Sequence, residues 1–77
     1  MPHVIVNMYP GSSEQQKTQL AKAIVKDVMA IANVGNEAVS VAIEEIKPGD
    51  WTEKVYKPDI LSSSGKLVQE AGYNPLE

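Results

Sequence analysis

The sequence predicts an α+β fold: a β-α-β unit with parallel strands, followed by a C-terminal helix in two pieces, a short helix and then a longer one. Three observations predict it. Branched and apolar residues run from Val4 to Met8, a helical pattern of about 20 residues follows a pair of serines, and a second run alternates over residues 38–46. Strand, helix and strand in that order follow the right-handed crossover rule, which sets the strands parallel with the helix on one face.

The first strand is interrupted only at Asn7 and stops at Tyr9-Pro10-Gly11, where proline has no N–H to give a ladder. Ser12 stands three residues before Gln15 and Ser13 three before Gln16, so either serine can open a helix through a capping box. Leu20, Ile24, Val28 and Ile31 then recur at helical spacing, with Lys17, Lys22, Lys26 and Asp27 elsewhere on the wheel. Asn33-Val34-Gly35-Asn36 closes the helix, with Gly35 suited to the left-handed position. In the second strand Val39, Val41 and Ile43 share one face, and Ala38, Ser40, Ala42 and Glu44 the other. That other face, with Ile5, is small or apolar, and a two-stranded sheet left open on it is only marginally stable.

After the turn Lys47-Pro48-Gly49, a capping box from Asp50 to Glu53 starts a short helix over 51–56. Pro58 suits the first turn of a second helix over 58–71, which Gly72 and Pro75 end. Ser62-Ser63-Ser64-Gly65 weakens its middle, while Tyr56, Ile60, Ser64, Leu67 and Ala71 share a face.

Seventy-seven residues predict a single domain, 1–77. A chain of this size buries only about 60% of its unfolded surface, and without cysteine no disulfide compensates. With neither a CxxC pair nor a His cluster no metal site is expected, so self-association is the expected source of further buried area. Seven lysines, no arginine and ten acidic residues give a net charge of −3. The lysines are scattered, which argues against a nucleic-acid partner. No apolar run approaches the ~20 residues of a membrane span and no leader pattern precedes the first strand. No membrane partner is expected, and a cytoplasmic location is.

Few groups are available for chemistry. One histidine and no cysteine exclude a thiol nucleophile and make a Ser-His-acid triad depend on His3. There is no Gly-rich phosphate loop. Glu44 and Glu45 are neighbours in a strand and point to opposite faces, so they read as solvated charge rather than as a shared-proton pair. Pro2 stands apart. Removal of an initiator methionine before a small residue would leave a secondary amine at the chain's first atom. An α-amino group titrates at about 7.7–8.0, and an apolar surround lowers the pKa of such a cation, so the neutral amine can take a proton. The alternative is a proline that merely starts an edge strand.

Pro2, the apolar strand through Met8, Gly11-x-Ser13-x-x-Gln16-Lys17, the length of the β-α-β unit and Trp51 together resemble the 4-oxalocrotonate tautomerase superfamily. The alignment runs without a gap from Pro2 to Trp51, about fifty of the 77 positions. The resemblance implies a keto-enol tautomerase, an isomerase, in which the freed Pro2 amine moves a proton between positions of an enol or dienol acid and Trp51 shapes an apolar pocket. No cofactor is implied. The hexameric founding members carry arginines at the positions of Ser12 and Ser40, where they hold and polarise the substrate's carboxylates; this chain has none. Losing one such charge-assisted contact costs about 1.5–3 kcal/mol, and serine cannot replace it, which disfavours a diacid. After Trp51 the helical segment is similar to the tautomerase PptA branch rather than to the hairpin of the hexameric members. That similarity implies a homodimer in preference to a hexamer, and small monocarboxylic or aryl enols such as that of phenylpyruvate as substrates.

The substrate-binding candidates are Trp51, stacking on an aryl group, Ser40, donating to an enolate or carboxylate, His3, binding a carboxylate when protonated, and Lys54, steering an anion. Lys47 is a further stand-in for the absent arginines. Each has a plainer reading: Trp51 as an interface or core aromatic, Ser40 as a small residue permitting close sheet contact, His3 as an exposed terminal side chain, Lys54 as a solvated charge. Tyr9 reads as a turn residue and Tyr56 and Tyr73 as core or interface aromatics, with a phenol acid left open for each. The rival to an enzyme is a tautomerase-like fold that only binds a small ligand or serves as an assembly module, for which the missing arginines are the main support.

Overall fold

The computed structural model describes residues 1–76, Ser64 by its backbone alone. They form two compact units, one ending at Glu45 and the other beginning at Ile46. The first unit is strand β1 (His3–Met8), helix α1 (Glu14–Ala32) and strand β2 (Ser40–Glu45). The strands are parallel, with His3 opposite Ser40 and each following pair in step to Met8 opposite Glu45. The β-α-β order and the parallel pairing are those the sequence predicts.

The joint from β1 to α1 is built by a run of short-range contacts. Gly11 turns the chain at φ +129, a conformation that a side chain would strain. Of the two serines, Ser13 is the cap: its Oγ accepts from the Gln16 N–H at 3.1 Å, and Gln16 Oε1 accepts from the Ser13 N–H at 2.8 Å. Lys17 Nζ then donates to Glu14 and to Glu45, each at 2.8 Å, tying the start of the helix to the end of β2. These partners, Glu14 first, raise the Lys17 pKa, and the Lys17 ammonium, with the Gly11 N–H, holds Glu45 below the ordinary 4.5.

The far end of α1 departs from expectation. Asn33, not Gly35, takes the left-handed conformation (φ 57, ψ 54), and its N–H bonds the Met29 carbonyl. Asparagine tolerates this region, so the helix stops as soon as one is reached. Gly35 is extended at φ −81 and precedes a 3-10 turn over Asn36–Ala38. That turn consumes Ala38, so the second strand begins at Ser40 and ends at Glu45 rather than running over 38–46. The inward stripe of α1 also differs. Lys17, Ala21, Ile24, Val25, Val28 and Met29 are half-buried, whereas Leu20 and Ile31 are 37% and 85% exposed. Small Ala21 shares a row with Val25 and Met29, four apart, and this row borders an open groove of about 690 Å³ against Val34 and Val41.

In the second unit a 3-10 turn, Pro48–Asp50, leads through Trp51 into a π-helix, Thr52–Leu61. The two expected helices over 51–56 and 58–71 are therefore one coil that runs through Pro58 and stops at Leu61. Its bonds close over five residues, as from the Ser62 N–H to the Lys57 carbonyl at 3.1 Å, and the wider coil relieves the clash a proline makes with the carbonyl four residues back. The Ser62 hydroxyl donates to the same carbonyl at 2.7 Å, which helps end the coil. Asp50 does not cap by its side chain. Its carboxylate lies 3.7 Å from Lys54 Nζ, and Glu53 binds Lys57 at 2.7 Å. After a 3-10 turn, Ser64–Lys66, no helix continues to 71. Tyr56, Ile60, Leu67 and Ala71 nonetheless line one small cavity of about 140 Å³. The side chain of Ser64, expected on the same face, lies outside the described residues. Among those described, the buried apolar side chains are Val55 and Tyr56.

Two measurements check the joint. Ser13→Ala is expected to lower stability by about 1 kcal/mol in denaturant titration, the usual cost of a lost N-cap. For the ion pair, Glu45 stabilises above its ordinary value near 4.5 and loses this as pH falls through its lowered folded value. Lys17 stabilises below its ordinary 10.5 and loses this as pH rises through its raised folded value. Lys17→Met should therefore be the less stable protein between these limits, with denaturation midpoints that converge on wild type in acid and in alkali.

Candidate active site

Strand register decides which side chains meet at the head of β1. Pro2 is half-buried, and its carbonyl accepts the Ser40 N–H at 3.2 Å, which carries the ladder one residue upstream of the strand. Met1 precedes it, fully exposed. While Met1 is attached the Pro2 nitrogen is a tertiary amide without basicity.

His3 and Ser40 are ladder partners, and His3 Nδ1 lies 2.6 Å from Ser40 Oγ. Glu45, two pairs of residues along from Val41, bonds Lys17 of the helix, and Val41 borders the groove of α1. Alternation therefore turns His3, Ile5, Ser40 and Ala42 to the opposite face, where Ile5 is 54% exposed. The groove beside α1 contains none of Pro2, His3 and Ser40. In either tautomer the pair keeps one outward donor. If the Ser40 hydroxyl donates to Nδ1, the imidazole Nε2–H is left; if Nδ1–H donates, the hydroxyl hydrogen is left. The arrangement can give a hydrogen bond to an oxyanion at the head of β1.

Three of the five candidates, Pro2, His3 and Ser40, thus meet within the first unit. Trp51 and Lys54 belong to the second. The Trp51 indole N–H donates to the Tyr73 phenol oxygen at 2.9 Å, and the Tyr73 and Tyr56 ring centroids are 5.8 Å apart. Lys54 is exposed and its pair with Asp50 is of the solvated kind that contributes little. Lys47 is exposed as well. Sequence reasoning missed the tie between Trp51 and Tyr73. Helical spacing gives no signal for it, because Tyr73 follows the last helical turn.

A parallel β-α-β unit with a proline at the head of its first strand defines the class, and comparison with known proteins gives the family. The family described as "Tautomerase enzyme" matches residues 2–54. A probable tautomerase of Xylella fastidiosa is 37% identical over 76 residues, spanning 99% of this chain and 93% of its own. A tautomerase PptA of Klebsiella pneumoniae is 32% identical over 75 residues, 96% of this chain and 99% of its own. Among solved structures, a heterohexamer 4-oxalocrotonate tautomerase of Chloroflexus aurantiacus matches with a TM-score of 0.64 at 31% identity, over 70% of this chain and 87% of its own. TomN, a 4-oxalocrotonate tautomerase homologue of the tomaymycin biosynthetic pathway, matches with a TM-score of 0.63 at 30% identity, over 65% and 77%. The chain belongs to the tautomerase family, whose enzymes are isomerases that interconvert keto and enol forms. Members of the family act on small molecules and self-associate. Among the described residues no helix is long and apolar enough to cross a membrane.

The histidine is the only one in the chain, so its ring nitrogens can be followed singly. In Ser40→Ala the nitrogen NMR signal of His3 Nδ1 is expected to move while that of Nε2 moves less; an unmoved Nδ1 would show that the hydroxyl is not its partner.

Proposed function

We propose that this protein is a keto-enol tautomerase that uses the amine of Pro2, freed by removal of Met1, as its acid and base. Its substrates are small monocarboxylic or aryl enols such as that of phenylpyruvate, and it works as a cytoplasmic homodimer without metal or organic cofactor. Family membership supports the activity class. The observation that carries the site is the head of β1, where Pro2 is held in the ladder by the Ser40 N–H and the His3–Ser40 pair lies beside it.

The chemistry needs one base and one donor. The neutral Pro2 amine takes the proton from the enol oxygen, the oxygen's electron pair forms the carbonyl, and the former double-bond pair takes the prolinium proton at the α-carbon. One residue serves both strokes. The outward donor of the His3–Ser40 pair holds the enolate oxygen or the substrate carboxylate while charge develops, and the imidazolium form adds a charge. Trp51 gives the apolar, aromatic contact, and Lys54 adds weak attraction for an anion. With no arginine in the chain, a single carboxylate is the better fit to this donor set than a diacid. The homodimer is what the resemblance to the tautomerase PptA branch implies, and the similarity to that relative continues past Trp51 over 75 residues.

Ketonisation of phenylpyruvate enol, followed by ultraviolet absorbance, tests the reading. Pro2→Ala should lower kcat by at least about 10²-fold, the scale of a lost general acid–base group, and the mass of protein purified from its own host should lack Met1. Equal, slow rates for wild type and variant would leave the rival of a ligand-binding or assembly module.

A further inference from the structure

The single histidine of the chain lies 2.6 Å, Nδ1 to Oγ, from the hydroxyl of Ser40. The contact is built into the sheet. His3 and Ser40 are partners in the ladder, the Ser40 N–H is fixed on the Pro2 carbonyl, and both residues are exposed on the face turned from α1. Two other hydroxyls show what this one has gained. Ser13 Oγ accepts from the Gln16 N–H, and the Ser62 hydroxyl donates to the Lys57 carbonyl, which cannot carry a proton away. An imidazole nitrogen can. Further along the same face Ile5 stands opposite Ala42, and at 54% exposure Ile5 adds an apolar surface to it. Among the described residues no carboxylate bonds the His3 ring, so the arrangement is a pair and not a triad.

We propose that Ser40 is a nucleophile with His3 as its general base, and that the pair accepts acyl groups from activated esters of small carboxylic acids. The Ser40 oxygen bonds the acyl carbon as its proton passes to Nδ1, the carbonyl electron pair moves onto oxygen, and its return expels the alcohol as an anion. The imidazolium stabilises the oxyanion and afterwards gives its proton to water. The step requires the ring proton of neutral His3 on Nε2. Lack of an orienting carboxylate sets the class of donor: a leaving group that departs as a stable anion needs no proton delivered to it, whereas an amide nitrogen does. No step passes through the Pro2 nitrogen, so the inference does not rest on the keto-enol reading and its outcome is separate from the ketonisation assay.

The probe is p-nitrophenyl acetate, followed by release of p-nitrophenolate and by mass spectrometry of the tryptic peptides. Between Lys26 and Lys47 the sequence holds Ser40 as its only hydroxyl, so an acetyl group on residues 27–47 that spares the lysine is assigned without ambiguity. Wild type should carry it there. Ser40→Ala should leave that peptide unmodified, and His3→Gln should slow its acetylation about 10²-fold, the lower end for one general base. Nitrogen NMR of the unsubstituted protein gives a readout that needs no variant: neutral His3 should carry its proton on Nε2. A proton on Nδ1, acetylation of lysines or the terminal amine with Ser40 untouched, or acetylation of Ser40 in His3→Gln at the wild-type rate would each overturn the proposal.

Discussion

Parallel strands cannot be joined by a tight turn, and most of the first unit follows from that constraint. The return from the end of β1 to the start of β2 needs a crossover, and here it is a helix of 19 residues laid along strands of six. At 1.5 Å per residue the helix is about 28 Å long, while six strand residues span only about 20 Å. The excess must overhang. Because Lys17 is bound to Glu45 at one end, the overhang falls at the other, and this accounts for Ile31 being 85% exposed although it continues the apolar spacing. The Ser13 cap, Lys17 and Glu45 therefore do more than close a helix. They set where the crossover starts, and with it the register that places Ser40 opposite His3.

That register has a chemical consequence. A site at the head of β1 receives backbone and short polar side chains, none of them with the permanent charge of a guanidinium. Neutral hydrogen bonds contribute about 0.5–1.5 kcal/mol where charge-assisted ones contribute about 1.5–3 kcal/mol. An anionic substrate is thus held less firmly by its carboxylate, and a larger share of its binding must come from apolar contact. Under the proposed function an aryl group would supply that contact, which is why the polar poverty of His3 and Ser40 suits an aryl enol better than a diacid.

Much of this was legible in the sequence because it depends on neighbours. The strand at residues 4–8, the Ser13–Gln16 box and the parallel crossover each rest on local spacing, and alternation alone put Ser40 and Ile5 on one face. What escaped depends on competition between alternatives that are close in energy. Asn33 and Gly35 can both end a helix, and the one reached first did so, which shifted the turn and shortened the second strand. Pro58 marks a boundary by sequence because an α-helix cannot carry it in its interior; a coil closing over five residues can. The bond between Trp51 and Tyr73 joins side chains 22 residues apart across irregular backbone, where periodicity has nothing to report.

The two groups of candidate residues also differ in how they are held. Pro2, His3 and Ser40 are fixed by strand pairing, in which each ladder bond is one of several and the loss of any single side chain leaves the rest in place. Trp51 enters the π-helix without a side-chain cap, and its indole N–H is given to the Tyr73 phenol oxygen. A ladder restrains backbone, so the position of Pro2 is insensitive to the loss of any one side chain beside it. Under the proposed function the proton transfer would therefore persist through substitutions around Pro2, because the strand ladder rather than those side chains holds its backbone.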